Sequence, residues 1–232
     1  MMRWLLSVLV SLSVVGVPFA GEFSVTAVIQ KSGLSWEEAV AAILLAKTFD
    51  LDLTMIISTR RQSTTPVFVL APAFVIAKVS KKDVKDILKE RSRGHGWGVI
   101  AHRLGVHPGV FNKARVNMSR LGDPEIEVSV WLTVLSQAFG YPQSQIVALK
   151  RKGLDWGELI AVLQISSCAR KSPDEVIKVW RETKDWAKVR SHFSVPLDWL
   201  PDIKAQKEGE SNLKGSPEHE KGPKPGKGHG KR

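Results

Sequence analysis

The chain has 232 residues, with 34 Lys and Arg against 23 Asp and Glu, and a net charge of +11. A single cysteine, Cys168, excludes an intramolecular disulfide, so an apolar core must hold the fold. The positive excess suits anionic partners such as nucleic acid, phospholipid headgroups or acidic envelope polymers, without choosing among them.

The first twenty residues read MMRWLLSVLVSLSVVGVPFA. Arg3 supplies a positive start, Leu5 to Val17 is apolar, and Pro18, Phe19 and Ala20 break the run. This is the layout of a secretory signal peptide over residues 1–20, with cleavage expected after Ala20, although Pro18 is a poor residue at the −3 position. The run is short for a transmembrane span; an uncleaved anchor is the alternative. No cysteine follows it, so a lipoprotein anchor is excluded. The expected location is periplasmic or secreted.

Residues 21–203 are long enough for one domain, and tryptophan marks a register within them. Ser35-Trp36, Gly96-Trp97, Asp155-Trp156 and Asp185-Trp186 each open an apolar helical pattern. Thr65-Pro66 and Asp123-Pro124 fill the long gaps, so Trp36, Pro66, Trp97, Pro124, Trp156 and Trp186 follow one another at 30, 31, 27, 32 and 30 residues. Such a period means an array of supersecondary units, here six suspected αα-hairpins. Ser, Thr and Asp are N-cap residues and Pro is favoured at the first helical position, so the Trp or Pro is placed at N1. Ser35 with Glu38 reads as a full capping box, and Asp155 with Glu158 has the same carboxylate at N3. Leu154 and Leu159 could staple that cap.

A shorter, basic-ended helix is expected before each start, as in VKDILKER after Asp83, IVALKRK after Gln145 and VIKVWRE after Glu175. Residues 66–78, PVFVLAPAFVIAK, are read as a helix because the register demands it; a strand or buried hairpin is the alternative, and Pro72 would kink a helix. Residues 204–232 carry eight Lys and Arg, four Glu and no aromatic residue. That composition predicts a disordered basic Lys/Gly/Pro tail. The fold class is all-α.

GHGWGVIAHRLGVHPG, from Gly94 to Gly109, resembles a motif of uncharacterised exported bacterial proteins: a GWG-x-IA-x-x-LG helix after a helix rich in Lys and Arg, often with a Gly/Lys/His tail. KRKGLDWGELI, from Lys150 to Ile160, is a looser copy, and GKGHGKR at residues 226–232 matches the tail. The resemblance is tight only around residues 87–109 and 146–165, and it implies no activity. Residues 96–117 also resemble a helix-turn-helix. Ala101 stands at its small position and Gly105 at its turn, while Ile100, Leu104, Val106 and Phe111 fit its apolar positions. Asn112, Lys113, Arg115 and Asn117 would then lie on the recognition helix.

No nucleophile elbow, HExxH, P-loop or dinucleotide fingerprint is present. His95, His102 and His107 have no acidic or Cys neighbour that would complete a metal site, so no metal and no cofactor is expected. Glu37, Glu38, Glu158 and Glu182 form no catalytic pair by spacing, so no catalytic residue is expected. Cys168 reads as a buried small apolar residue. The Trp series reads as inter-unit packing, against an aromatic row that stacks sugars or bases. Candidate anion-binding residues are Lys89, Arg91, Arg93, Lys150, Arg151 and Lys152 at helix ends, with Lys224, Lys227, Lys231 and Arg232 in the tail. Simple solvation and dipole matching is the other reading of these cations. The expected function is a non-enzymatic, exported helical-repeat protein with an interaction or structural role, its candidate partners an anionic polymer, the envelope surface or another protein. A helix-turn-helix DNA-binding protein is the alternative, and a cell-envelope enzyme with an unrecognised site is third.

Overall fold

The computed structural model describes residues 24–111 and 123–203. Within them the chain is all-helical, with no strand. In chain order the helices are α1 (Val25–Ser32), α2 (Trp36–Phe49), α3 (Leu53–Arg61), α4 (Val67–Ser80), α5 (Val84–Ser92), α6 (Trp97–Arg103), α7 (Asp123–Phe139), α8 (Gln143–Lys150), α9 (Trp156–Ala169), α10 (Pro173–Thr183) and α11 (Trp186–His192). A 3-10 turn spans Pro108–Val110. None of the described helices is long and apolar enough to cross a membrane. The expected signal peptide and tail lie outside the described residues.

The long helices α2, α4, α7 and α9 form the interior. Helix α2 packs on the other three, and α7 packs on both α4 and α9. Their sequences explain why. Residues 38–46 of α2, 70–77 of α4 and 159–166 of α9 are buried without interruption. A helix apolar all round has no face for water and must be enclosed. The shorter helices cover this interior: α3 lies on α2 and α4, α5 on α4, α8 on α7, and α10 on α9. Helix α10 buries Val176 and Ile177 and turns charged residues outward.

The inner helices all begin at one end of the molecule. A Cβ placed on Gly157 of α9 would lie 3.0 Å from the Phe68 ring of α4 and 3.3 Å from Glu37 Cγ of α2. Near the same end, the Trp156 indole reaches Glu127 of α7 at 2.9 Å. Helices α3 and α8 carry the chain back to that end before α4 and α9 start.

Helices begin at Trp36, Trp97, Trp156 and Trp186, with N-caps Ser35, Gly96, Asp155 and Asp185. Two expected positions shift. Pro66 is the N-cap of α4 rather than its first helical residue. Its fixed φ and missing amide suit the cap because Glu38 of α2 accepts the following Val67 N–H at 3.1 Å. Pro124 is the second residue of α7. The capping boxes also exchange places. Ser35 caps Glu38 N–H, but the Glu38 carboxylate is drawn away to Arg60 and Val67. Asp155 with Glu158, and Ser172 with Glu175, form the complete boxes. The starts do not begin equal units, since α6 and α11 have seven residues where α2, α4 and α9 have fourteen.

Residues 67–80 are helical despite Pro72. Proline leaves the carbonyl four residues earlier, that of Phe68, without its amide. The Trp131 indole of α7 donates to that carbonyl at 2.9 Å, and its ring meets Phe68 edge-on at 5.9 Å.

In an open solenoid each unit touches only its neighbours. Here the arrangement closes. The Asp198 carboxylate accepts from Ser24 Oγ at 2.9 Å, Thr26 N–H at 2.7 Å and Thr26 Oγ1 at 2.8 Å. The Trp36 indole donates to Leu197 O at 3.2 Å, and Gln164 Nε2 of α9 donates to Trp199 O at 2.5 Å. The segment after α11 therefore ties α1, α2 and α9 together.

Candidate functional site

Two turns share one side-chain arrangement. Arg91 donates from Nη1 to the His95 carbonyl at 3.1 Å, and its guanidinium lies 4.7 Å from the Trp97 ring centroid. Lys150 donates from Nζ to the Leu154 carbonyl at 2.7 Å and lies 5.2 Å from the Trp156 ring centroid. Gly94 and Gly153 turn the chain at φ +87°, a conformation that strains any residue with a Cβ. The sequence rule is a cation, glycine three residues on, a carbonyl one further, and Trp at the sixth. Arg60, six residues before Pro66, departs in detail but likewise donates into its turn, to Ser63 O at 2.7 Å. Six residues before Trp186 the cation is replaced by Trp180, which stacks on Trp186 with centroids 3.9 Å apart and planes 2° from parallel.

The same cations face a carboxylate. Burial pushes the Glu127 carboxyl above its ordinary value, while the Trp156 indole, Lys150 and Arg91 pull it back. Glu38 plays a matching part at α4, holding Arg60 through Nε at 2.9 Å and Nη2 at 3.2 Å. These networks position helix starts; spacing alone does not reveal them, because Glu127 meets its partners only after α7 is folded against α6 and α9.

The cations expected to bind anions therefore divide. Arg91 and Lys150 point into turns and over rings. Arg93 pairs with Glu90, as does His95 at 2.9 Å, and Lys152 pairs with Asp174. Lys89 and Arg151 are exposed and form no ion pair with a described residue. Lys224, Lys227, Lys231 and Arg232 lie outside the described residues. Sequence reasoning passed over Lys81, Lys82 and Lys85, which with Lys89 form an exposed run free of ion pairs with described residues. Their density, four lysines within residues 81–89, was the available signal.

Trp36, Trp97 and Trp156 are 7%, 2% and 8% exposed, placing them with the core, whereas Trp186 is half-buried. Pro124 falls where only the backbone is described. Cys168 is half-buried, and burial raises its thiol. His102 and His107 are exposed, His95 is held by Glu90, and no group of three His, Cys, Asp or Glu residues among the described ones could hold a metal. In the helix-turn-helix stretch, α6 packs on α4, α5 and α7, and Gly105 turns at φ +67°. Ile100, Val106 and Phe111 are buried. Asn112, Lys113, Arg115 and Asn117 lie outside the described residues. No protein-family model, curated protein or solved structure matches this chain.

Proposed function

We propose that this protein is an exported, non-enzymatic helical scaffold that binds an anionic surface or polymer. The observation that carries the reading is the run Lys81, Lys82, Lys85 and Lys89, turned to solvent at the end of α4 and along α5 without an ion pair to any described carboxylate. Unpaired cations clustered on one surface favour a polyanion, since counterion release rewards several contacts at once without a defined pose. The sequence of the tail adds a net +4 of the same sign. Export rests on Arg3, the Leu5 to Val17 run and Ala20.

Two measurements test this. Mass spectrometry of protein made in a bacterial host should find a start near Gly21; intact chain beginning at Met1 in the cytosol would remove the export claim. Binding to anionic vesicles or acidic polymer should weaken in Lys81→Gln/Lys85→Gln/Lys89→Gln and on deletion of residues 204–232, with a shallower salt dependence in each. Retention equal to the parent at low and high salt would sink the polyanion reading.

A further inference from the structure

Helix α10 carries a half-buried Trp180 whose indole is fixed before any ligand arrives. Its Nε1 donates to Glu158 Oε1 at 3.0 Å, and Glu158 Oε2 is itself held by the Asp155 amide at 3.0 Å. Trp186 fills one face of the ring, 3.9 Å away and parallel to it. The Lys184 ammonium, 5.2 Å from the ring centroid, is thereby left to the other face. Lys184 is exposed and forms no ion pair with a described residue. The row continues inward: Trp186 meets Trp36 at 6.4 Å, and the Arg190 guanidinium lies 5.0 Å from the Trp36 centroid.

We propose that the α10–α11 face is a subsite for an acidic polysaccharide, with Trp180 as stacking platform and Lys184 as counter-charge. This rests on the anionic-polymer reading above and gives it a chemical class and a place. An indole face accepts the C–H face of a pyranose ring, and an ammonium beside it accepts the ring's carboxylate. Lys184 needs only to swing aside, which a solvated four-carbon stem does freely. Nucleic acid is disfavoured because successive bases need separate aromatic platforms, and here the second ring is consumed by stacking on the first.

The test uses the full chain and three probes: polygalacturonate, neutral dextran and single-stranded DNA, titrated by calorimetry. Polygalacturonate should bind and dextran should not. Lys184→Gln should weaken polygalacturonate roughly threefold to fivefold, and Lys184→Arg should keep the parent affinity. Trp180→Ala should weaken it about tenfold or more, on the scale of one stacking contact. If Trp180→Ala fails to fold, the Lys184 pair decides. Parent affinity in Lys184→Gln overturns the subsite. Tighter binding of DNA than of polygalacturonate, lost in Lys184→Gln, gives the face to nucleic acid and also overturns it. Polyanion binding that depends only on Lys81, Lys85 and Lys89 removes this subsite and leaves the broader reading standing, whereas no binding to any polyanion removes both.

Discussion

Pro72 in the middle of α4 would ordinarily break or kink the helix, at a cost of about 3 kcal/mol. The Trp131 indole occupies the place of the missing amide by donating to Phe68 O. Trp131→Phe keeps an aromatic ring and deletes the donor, so urea unfolding should show a loss of about 1–3 kcal/mol, the cost of an orphaned buried carbonyl. Pro72→Ala restores an amide to that carbonyl, so the double variant should recover much of the loss. Strictly additive effects would mean that the carbonyl never depended on the indole. Glu127 makes a second residue-scale case. Its folded-state value lies above its unfolded one, chiefly through burial. The ionised carboxyl therefore costs stability, in full above the folded value and not at all below the unfolded one. Glu127→Gln keeps an acceptor for the Trp156 indole and removes that cost. It should melt higher than the parent at neutral pH, with the advantage vanishing as pH falls below the ordinary carboxylate range. A variant less stable than the parent at neutral pH would show that Arg91 and Lys150 need the charge. Neither residue's role was legible beforehand, because Trp131 and Pro72 are 59 positions apart and belong to no shared spacing.

Helix starts were the most legible elements. A cap residue followed by Trp is a local signal, and Trp36, Trp97, Trp156 and Trp186 stand at N1 as their neighbours dictate. Trp97→Ala and Trp156→Ala should each cost roughly 3–5 kcal/mol in denaturant unfolding, because each empties a buried site. In Trp156→Ala the Glu127 carboxyl also loses its indole donor. Parent-like melting in both, with polymer binding lost, would instead make the rings a ligand surface. The basic helix ends were legible only as charges. Arg91 and Lys150 look like ordinary cations at helix C-termini, yet the glycine three residues on folds the turn back beneath them, so each finds a carbonyl and a ring. Helix α4 was legible as apolar, and its enclosure follows from having no polar stripe, but periodicity alone could not choose helix over strand there.

At the scale of the whole molecule, a local register has become a polarity. Glu37, Glu38 and Glu158 lie in the first turns of α2 and α9, where the helix dipoles favour negative charge, and Glu127, the fifth residue of α7, joins them at the same end. Lys47, Lys78 and Arg170 lie where α2, α4 and α9 finish. Each cap can be read from sequence, but their convergence cannot, since it depends on connecting helices such as α3 and α8 returning the chain. Closure was the least legible feature. A period of about thirty residues suits an open solenoid equally well. The contact that closes the arrangement joins Ser24 and Thr26 to Asp198 across 172 residues or more, from a stretch without helical periodicity. That contact carries its own pH dependence. The Thr26 amide, the Ser24 hydroxyl and the Thr26 hydroxyl all favour the ionised Asp198 carboxylate and hold it below its ordinary value. A depressed folded value means that the stabilisation is complete above the unfolded value and is lost as pH falls through the folded one. Hydrogen exchange at the Thr26 amide should therefore accelerate beyond its intrinsic pH dependence in acid, while amides inside α2 and α9 keep their protection. Asp198→Asn, which retains an acceptor but no charge, should show weaker Thr26 protection at neutral pH and lose the acid-dependent step. Thr26 protection that is equal in parent and variant at every pH would mean that the α1 tether contributes nothing, and that Trp36 and Gln164 close the molecule alone.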